Sequence, residues 1–174
     1  MKPYPSHLVE DVALDDGRTI TIRPIRPEDA GIEADFVRNL SEESRYYRFM
    51  DSLRELTPQM LSQFTQIDYD RHMALIAVTL VDSRKVEIGV ARYVMIDEAN
   101  CEFAIVVADA WQHKGIGSHL MRALMDAARG RGLRIMSGEV LTSNHKMLEF
   151  LRRLGFHAAF DPSDGHVMRV DAKL

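Results

Sequence analysis

The residues of this chain whose types and spacing could do chemistry gather around one stretch, Gln112-His113-Lys114-Gly115-Ile116-Gly117-Ser118. It follows the apolar run Val106-Val107-Ala108 and opens an amphipathic helix, a pattern that predicts a binding site for a diphosphate. The first N–H groups of a helix have no partner within it and lie at the positive end of its dipole, so an anion placed there satisfies both deficits. Glycines at 115 and 117 let the main chain take positive φ and approach phosphate oxygens that a Cβ would hold off. Beyond them Ile116, Leu120, Leu124 and Ala127 share one helical face, with Met121 and Ala128 beside them, while Arg122, Asp126 and Arg129 face away. The helix is therefore expected to pack on a sheet with its N-terminus open to a ligand.

Two familiar phosphate motifs can be compared with this stretch. The P-loop is excluded, because no Gly-Lys-Ser/Thr follows. The dinucleotide fingerprint needs a third glycine where Leu120 stands, although Glu139 lies about 20 residues on, where a ribose-binding acid would be expected. The elements that lead into the loop argue against that fingerprint.

Those elements can be read from punctuation and period. Val9, Val12 and Leu14 lead into Asp15-Asp16-Gly17, and Ile20 and Ile22 alternate with polar residues afterwards, which predicts a hairpin. Glu28 to Leu40 reads as a helix, Ser41 starts another through Phe49, and Thr57-Pro58 caps a third that runs to Ile67. From residue 71 the period changes: Met73 to Val81, Val86 to Ile96 and Glu102 to Val107 form an antiparallel meander. The helix at 116 to 129 is closed by Arg129-Gly130-Arg131-Gly132. Leu133 to Leu141 is a strand, Asn144 caps a helix ending at Leu154-Gly155, and Phe156 to Phe160 with His166 to Val170 makes a last hairpin. A phosphate loop behind an antiparallel meander does not belong to a doubly wound dinucleotide fold.

Composition sets the remaining bounds. At 174 residues with 46% hydrophobic content the chain is expected to form one domain with a substantial core. A formal net charge of −4 excludes a broad basic field for nucleic acid. Cys101 is the single cysteine, which rules out an internal disulfide and fits a reducing, cytoplasmic setting. Residues 1 to 20 carry Glu10, Asp11, Asp15 and Asp16 with no apolar core of a signal peptide, and Met73 to Val81 is too short to span a bilayer, so no membrane is expected. Met1 to Ser6, with two prolines, reads as a loose tail. The seven histidines include no pair at metal-ligand spacing with a third partner, so no metal is expected.

The order of these elements and the segment Gln112-x-x-Gly115-x-Gly117 resemble the acyl-CoA motif of the GCN5-related N-acetyltransferase superfamily. Asn144 through Leu154-Gly155-Phe156 is similar to that family's second signature. The resemblance covers residues 18 to 172, with 1 to 17 as a tail and an extra strand. Ile22-Arg23-Pro24-Ile25-Arg26-Pro27-Glu28-Asp29, Glu43-Ser44-Arg45-Tyr46-Tyr47-Arg48-Phe49, Gln66-Ile67-Asp68-Tyr69-Asp70-Arg71 and Glu102-Phe103-Ala104-Ile105-Val106-Val107 narrow it to the acetyltransferase domain of bacterial protein-lysine acetyltransferases of the Pat type. Those proteins modify acyl-CoA synthetases. The fold implied is a mixed α/β acyl-CoA N-acyltransferase fold, with a mostly antiparallel central sheet flanked by helices.

The resemblance also implies roles. Acetyl-CoA is the cofactor, and Glu102 matches the general base that takes a proton from the amine, directly or through water; an apolar setting from Phe103 to Val107 would raise its pKa from about 4.3. Main-chain groups of Ile105, Val106 and Val107 would pair with pantetheine amides as an added strand would, with the Val107 N–H polarising the thioester carbonyl. Gln112, His113, Lys114, Gly115, Ile116, Gly117 and Ser118 would hold the pyrophosphate, and Asn144 would reach the cofactor or simply cap its helix. Arg45, Tyr46, Arg48 and Phe49 are candidates for the acceptor wall, and Asp68 and Asp70 for attracting a cationic amine. Many relatives carry a tyrosine acid seven residues after the asparagine; here that position is Leu151, so Glu102 is expected to do most of the proton handling. Cys101 beside it is read as an inert strand cysteine.

The expected acceptor is a protein lysine or a small amine, and a third reading is an acyl-CoA sensor without turnover. A homodimer is compatible with the family. A small-molecule enzyme should show a closed acceptor pocket, and a protein modifier an open, shallow groove.

Overall fold

The Asp15-Asp16-Gly17 turn forms as its residues predict. Gly17 takes φ 86° and the chain doubles back from β1, Glu10–Ala13, to β2, Thr19–Pro24. In the computed structural model, which describes residues 1–174, a short 3₁₀ turn at Pro27–Asp29 then opens into α1, Ala30–Asn39. Asp29 secures that junction, accepting from the Arg23 guanidinium at 2.7 Å through each oxygen and from the Arg26 N–H at 2.7 Å. Ser41 and Thr57 accept from the N–H groups of Ser44 and Met60, capping α2, Glu42–Phe49, and α3, Pro58–Thr65.

The meander follows as β3, His72–Val81, β4, Arg84–Met95, and β5, Asn100–Val107. Next come α4, Ile116–Arg131, β6, Ile135–Leu141, α5, His145–Arg153, β7, His157–Asp161, and β8, Asp164–Lys173. Gly130 lies inside α4; the helix ends at Gly132, whose φ of 93° sets the left-handed cap. All eight strands join one sheet in the order β1-β2-β3-β4-β5-β6-β8-β7. Every neighbouring pair is antiparallel except β5 with β6.

Helices cover the two faces unequally. On one face α4 buries Ile116, Leu120, Met121, Leu124, Met125 and Ala128 against β3, β4 and β5, each apolar side chain of valine size or larger contributing about 1.5–3 kcal/mol. On the other, Phe36 and Val37 of α1 with Phe64 of α3 pack over Ala74, Ile76, Val78 and Val90. Alternation along β3 to β5 decides which side chain goes to which face.

Under α1 lies a buried charged group. Arg92, 5% exposed, donates to Glu33 at 3.3 Å, and its guanidinium sits 4.4 Å from the Phe64 ring centroid. His72 Nε2 lies 3.2 Å from Arg92 Nη1; guanidinium only donates, so this nitrogen accepts. Burial, with Arg92 next, pushes His72 down to about 4, which keeps it neutral. Glu87 is 2% exposed, and both its oxygens, with Glu33 Oε2, lack a donor among the other side chains. Burial first, and then the Glu33 charge, raise the Glu87 pKa well above the ordinary carboxylate value. Both influences favour the protonated form of Glu87, whose O–H can supply one donor toward Glu33.

The tail from Met1 to Ser6 is not loose. Tyr4 donates to the Pro24 carbonyl at 2.8 Å and stands edge-on to Tyr69, and Lys2 pairs with Asp70 at 2.8 Å. No helix is long and apolar enough to cross a membrane.

Candidate active site

The site begins where β5 and β6 part. They pair only from Asn100 to Glu102 against Ile135 to Ser137, then diverge. The divergence has a packing cause: the Phe103 ring lies against Gly138, where a Cβ would come within 2.7 Å of it, and meets Phe156 at 5.1 Å between centroids. Ala108 N–H donates to the Ile88 carbonyl and Ile96 N–H to that of Asn100, so the even-numbered residues of β5 exchange hydrogen bonds with β4. Phe103, Ile105 and Val107 consequently direct their N–H and C=O groups into the gap, while Val106 is committed to β4. An extended ligand can lie along this edge as a strand would.

At the end of β5 the backbone edge runs into the loop. Asp109–Trp111 makes one 3₁₀ turn, and Gln112 Nε2 folds back to the Val107 carbonyl at 3.0 Å. His113 takes φ 62° and Gly115 φ 84°, and Gly115 caps α4 with no side chain to occupy its first N–H groups. A Cβ on Gly117 would sit 3.4 Å from Phe150 and 3.8 Å from Val107, inside the space beside the loop. The loop also leans on the first hairpin: Arg18 lies 4.1 Å over Trp111, and Lys114 lies 4.0 Å from Asp16.

These parts enclose an open cavity of about 590 Å³. Of the residues expected at the cofactor, Ile105, Val106, Val107, Gln112, His113, Gly115, Ile116, Gly117, Ser118 and Asn144 line it. Lys114 points instead toward Asp16. Asn144 caps α5, accepting from Met147 N–H at 3.3 Å, and faces the cavity as well, so both of its expected roles are open to it. Tyr47, Trp111, Glu139, Lys146, Phe150 and Arg153 also line the cavity and were not anticipated. For Lys146, Phe150 and Arg153 the signal was present, since residues at a spacing of three or four after a helix cap share one face.

The acceptor wall differs from expectation. Of the residues named on α2, Arg48 reaches the cavity, joined by Tyr47, whose hydroxyl donates to the Ser143 carbonyl at 3.3 Å. Burial, and then Arg92, lower the Arg48 guanidinium to about 10. Arg45 turns away and donates to the carbonyls of Leu53, Arg38 and Leu40, Tyr46 is exposed outside the cavity, and Phe49 stacks on Phe64. Asp68 and Asp70 are not brought to the site at all. Asp68 accepts from the N–H groups of Asp70 and His72, and Asp70 is held by Lys2 and by Arg131 at 2.6 Å.

Glu102 lies where the strands part, paired across to Val94 on β4 and to Ser137 on β6. The apolar setting expected for it is absent. Its side chain points to the face opposite Cys101, Phe103 and Ile105, which helices cover at Val106 but leave bare at this end of the strand, and it is exposed. Glu139, two residues beyond Ser137, is a second exposed carboxylate and lines the cavity. Cys101 is fully buried and burial pushes its thiol up to about 12, which removes it as a nucleophile at neutral pH. Leu151 is fully buried in the core, so α5 offers no phenol there.

The chain matches the family model described as acetyltransferase (GNAT) family over residues 35–156. It is 39% identical over 159 residues to acetyltransferase PA5475 of Pseudomonas aeruginosa, covering 91% of this chain and 84% of that protein. It is 30% identical over 145 residues to acetyltransferase Pat of Mycolicibacterium smegmatis, covering 80% of this chain but only 41% of that longer protein. Among solved structures, the GNAT domain of S. lividans PAT superposes with a TM-score of 0.89 at 30% identity, over 99% of this chain and all of that domain. With the parted strands and the uncapped helix in place, these matches make the chain a member of the GNAT family of acetyltransferases.

Proposed function

We propose that the chain moves an acetyl group from acetyl-CoA to a protein lysine, with Glu102 as the base. The observation that carries this reading is the unpaired edge of β5 running directly into the uncapped N-terminus of α4. The site fits the cofactor on its own terms: a strand edge for amides, free helix N–H groups for a diphosphate, and a cleft that a side chain at 117 would narrow. One neighbour of the same fold, a putative acetyltransferase from Salmonella typhimurium at 19% identity, was solved with its cofactor acetyl-CoA. When bound, acetyl-CoA supplies a thioester carbonyl open to attack.

The chain's residues do the rest. Gly115 to Ser118 hold the diphosphate through main-chain donors, and the Ile105 and Val107 edge orients the donor arm. Ile105 lies three residues beyond Glu102, about 10 Å along the strand, whereas Val107 lies about 17 Å away. Of these two donors the Ile105 N–H is the nearer to Glu102 and the better placed to polarise a carbonyl attacked there, in place of the Val107 N–H expected from the sequence. A free lysine with pKa about 10.4 arrives protonated, so Glu102 accepts its proton through water. The amine nitrogen then bonds to the carbonyl carbon as the carbon–sulfur bond breaks; the nitrogen gives its second proton to solvent, and the departing sulfur takes one from solvent, since Leu151 offers none.

A protein acceptor is favoured over a small amine because Glu102 stands on an open face and not in a closed pocket. The resemblance to the protein-lysine acetyltransferases of the Pat type supports the same acceptor. Glu139 supports a second reading of the base, because it lines the cavity and Glu102 does not.

The test is to incubate the purified chain with acetyl-CoA and an acyl-CoA synthetase, following thiol release and locating acetyl-lysine by mass spectrometry. Glu102→Gln should lower kcat/KM by about 10²-fold or more from pH 6 to 9 while acetyl-CoA still binds. Equal rates in that variant refute the base assignment, and a comparable loss confined to Glu139→Gln transfers the role. Binding of acetyl-CoA with no transfer to any lysine or small amine would favour the sensor.

A further inference from the structure

We infer that the bare sheet face around Glu102 is a docking surface for an extended segment of the acceptor protein, one that carries apolar side chains two residues from the target lysine. The inference rests on the protein-lysine reading above and specifies its substrate.

The face can be mapped from register alone. Helices cover it as far as Arg92, which is 5% exposed; two residues further along β4, Val94 is 49% exposed and Ile96 58%. Val94 stands directly opposite Glu102, which pairs in turn with Ser137, and Ser137 with Asp171. One step down, Ile96 N–H bonds to the Asn100 carbonyl, and Asn100 pairs with Ile135, itself 40% exposed. Val94, Ile96 and Ile135 thus form an apolar rim around the strand that carries the base. Side chains on one face of a strand recur about every 6.7 Å, the spacing between these two rows. A lysine above Glu102 on an extended segment therefore places the side chains two residues away over the rim.

Charge identifies the occupant. Glu102, Glu139 and Asp171 are exposed on this face, and Arg169, the cation among them, is already held by Asp161 at 2.7 Å. Lys173 lies at the edge beside Ile135, and Arg92, at the covered end of the face, is paired with Glu33. An acidic centre with an apolar rim suits a lysine with apolar neighbours and repels nucleic acid and anionic lipid. Exposed apolar residues clustered beside an active site are otherwise a liability to solubility.

The test uses two peptides with blocked N-termini, Gly-Gly-X-Gly-Lys-Gly-X-Gly-Gly, with X leucine in one and serine in the other. The parent should favour the leucine peptide by about tenfold in kcat/KM. A Val94→Thr/Ile96→Thr variant keeps the β-branched shape at two exposed positions, so the fold is retained, which circular dichroism checks. In it the preference should fall to about twofold or less, while the KM for acetyl-CoA stays that of the parent. The inference is overturned if the parent treats the peptides alike or the variant keeps the preference. A variant that keeps the preference but loses mass in light scattering assigns the rim to a contact between two copies instead. If the parent acetylates neither peptide nor any protein lysine, the protein-lysine reading itself falls, and this inference with it.

Discussion

Asp109 and Ser41 lie 68 positions apart in the chain and are joined by two hydrogen bonds, one at 2.9 Å from the Ser41 N–H and one at 2.8 Å from its hydroxyl. The Ser44 hydroxyl adds a third to the same carboxylate at 2.9 Å. Burial pushes the Asp109 carboxyl up, but these bonds outweigh it and hold the group below the ordinary carboxylate range. The contact fastens the N-terminus of α2, which bears Tyr47 and Arg48, to the turn between β5 and the glycine loop. Two walls of the cavity are thereby one unit.

Asp109→Asn keeps the size of the side chain but removes its charge and one acceptor oxygen. The two serine hydroxyls then lose a charged acceptor, which costs about 1.5–3 kcal/mol if the contact is not remade. Because the contact positions α2 and touches no reacting atom, KM for both substrates should rise more than kcat falls. Steady-state kinetics with each substrate varied in turn decides this; a loss in kcat alone would refute the positioning role.

The glycines of the loop give a second expectation. Gly115 holds φ 84°, where a side chain is strained by about 1 kcal/mol, and a Cβ there meets nothing within 4 Å. Gly117 has ordinary helical φ, but its Cβ would enter the cleft beside Phe150. Gly115→Ala should therefore lower thermal stability with a small effect on acetyl-CoA affinity, whereas Gly117→Val should weaken acetyl-CoA binding by tenfold or more, about 1.4 kcal/mol. Calorimetric titration of both variants separates strain from obstruction.

Much of this architecture is legible in the chain because its signals are local. Gly17, Ser41, Thr57, Gly115 and Asn144 each fix a turn or cap through contacts within a few residues, and each sits where that chemistry requires. What is not legible depends on partners far away in sequence. Asp70 looks free until Lys2 and Arg131 arrive from other elements. Whether Glu102 meets an apolar wall or solvent depends on which helices lie over β5, and α2 is too short and too evenly half-exposed for its pattern to say that Tyr47 joins the expected Arg48 at the cavity while Arg45, Tyr46 and Phe49 do not.

Gly138 predicts a stability effect at the root of the site. A Cβ there would lie 2.7 Å from the Phe103 ring, a contact that ring packing against Phe156 gives little room to relieve. Gly138→Ala should cost about 1–3 kcal/mol. Adding Phe103→Leu should recover part of that loss, because the smaller side chain leaves space for the new methyl. Urea unfolding of the single and double variants tests the coupling, and simple additivity would show that the ring is not what keeps position 138 free of a side chain.

Glu87 carries the sharpest pH expectation. Its folded pKa lies well above 4.5, so from about pH 4.5 upward the unfolded chain releases a proton that the native chain keeps. With more protons bound in the native state, this group's contribution to stability is present below the unfolded pKa and is lost as pH rises toward the folded one. The slope approaches about 1.4 kcal/mol per pH unit within that window. Glu87→Gln retains a donor for Glu33 and has nothing to ionise, so it should match the parent near pH 4.5 and exceed it progressively toward pH 8. Glu87→Leu removes the donor as well and leaves the Glu33 oxygen without a partner, so it should be less stable than Glu87→Gln throughout. Urea midpoints of the three proteins at a series of pH values measure this, and parallel curves for parent and Glu87→Gln would mean that Glu87 does not hold its proton in the folded chain.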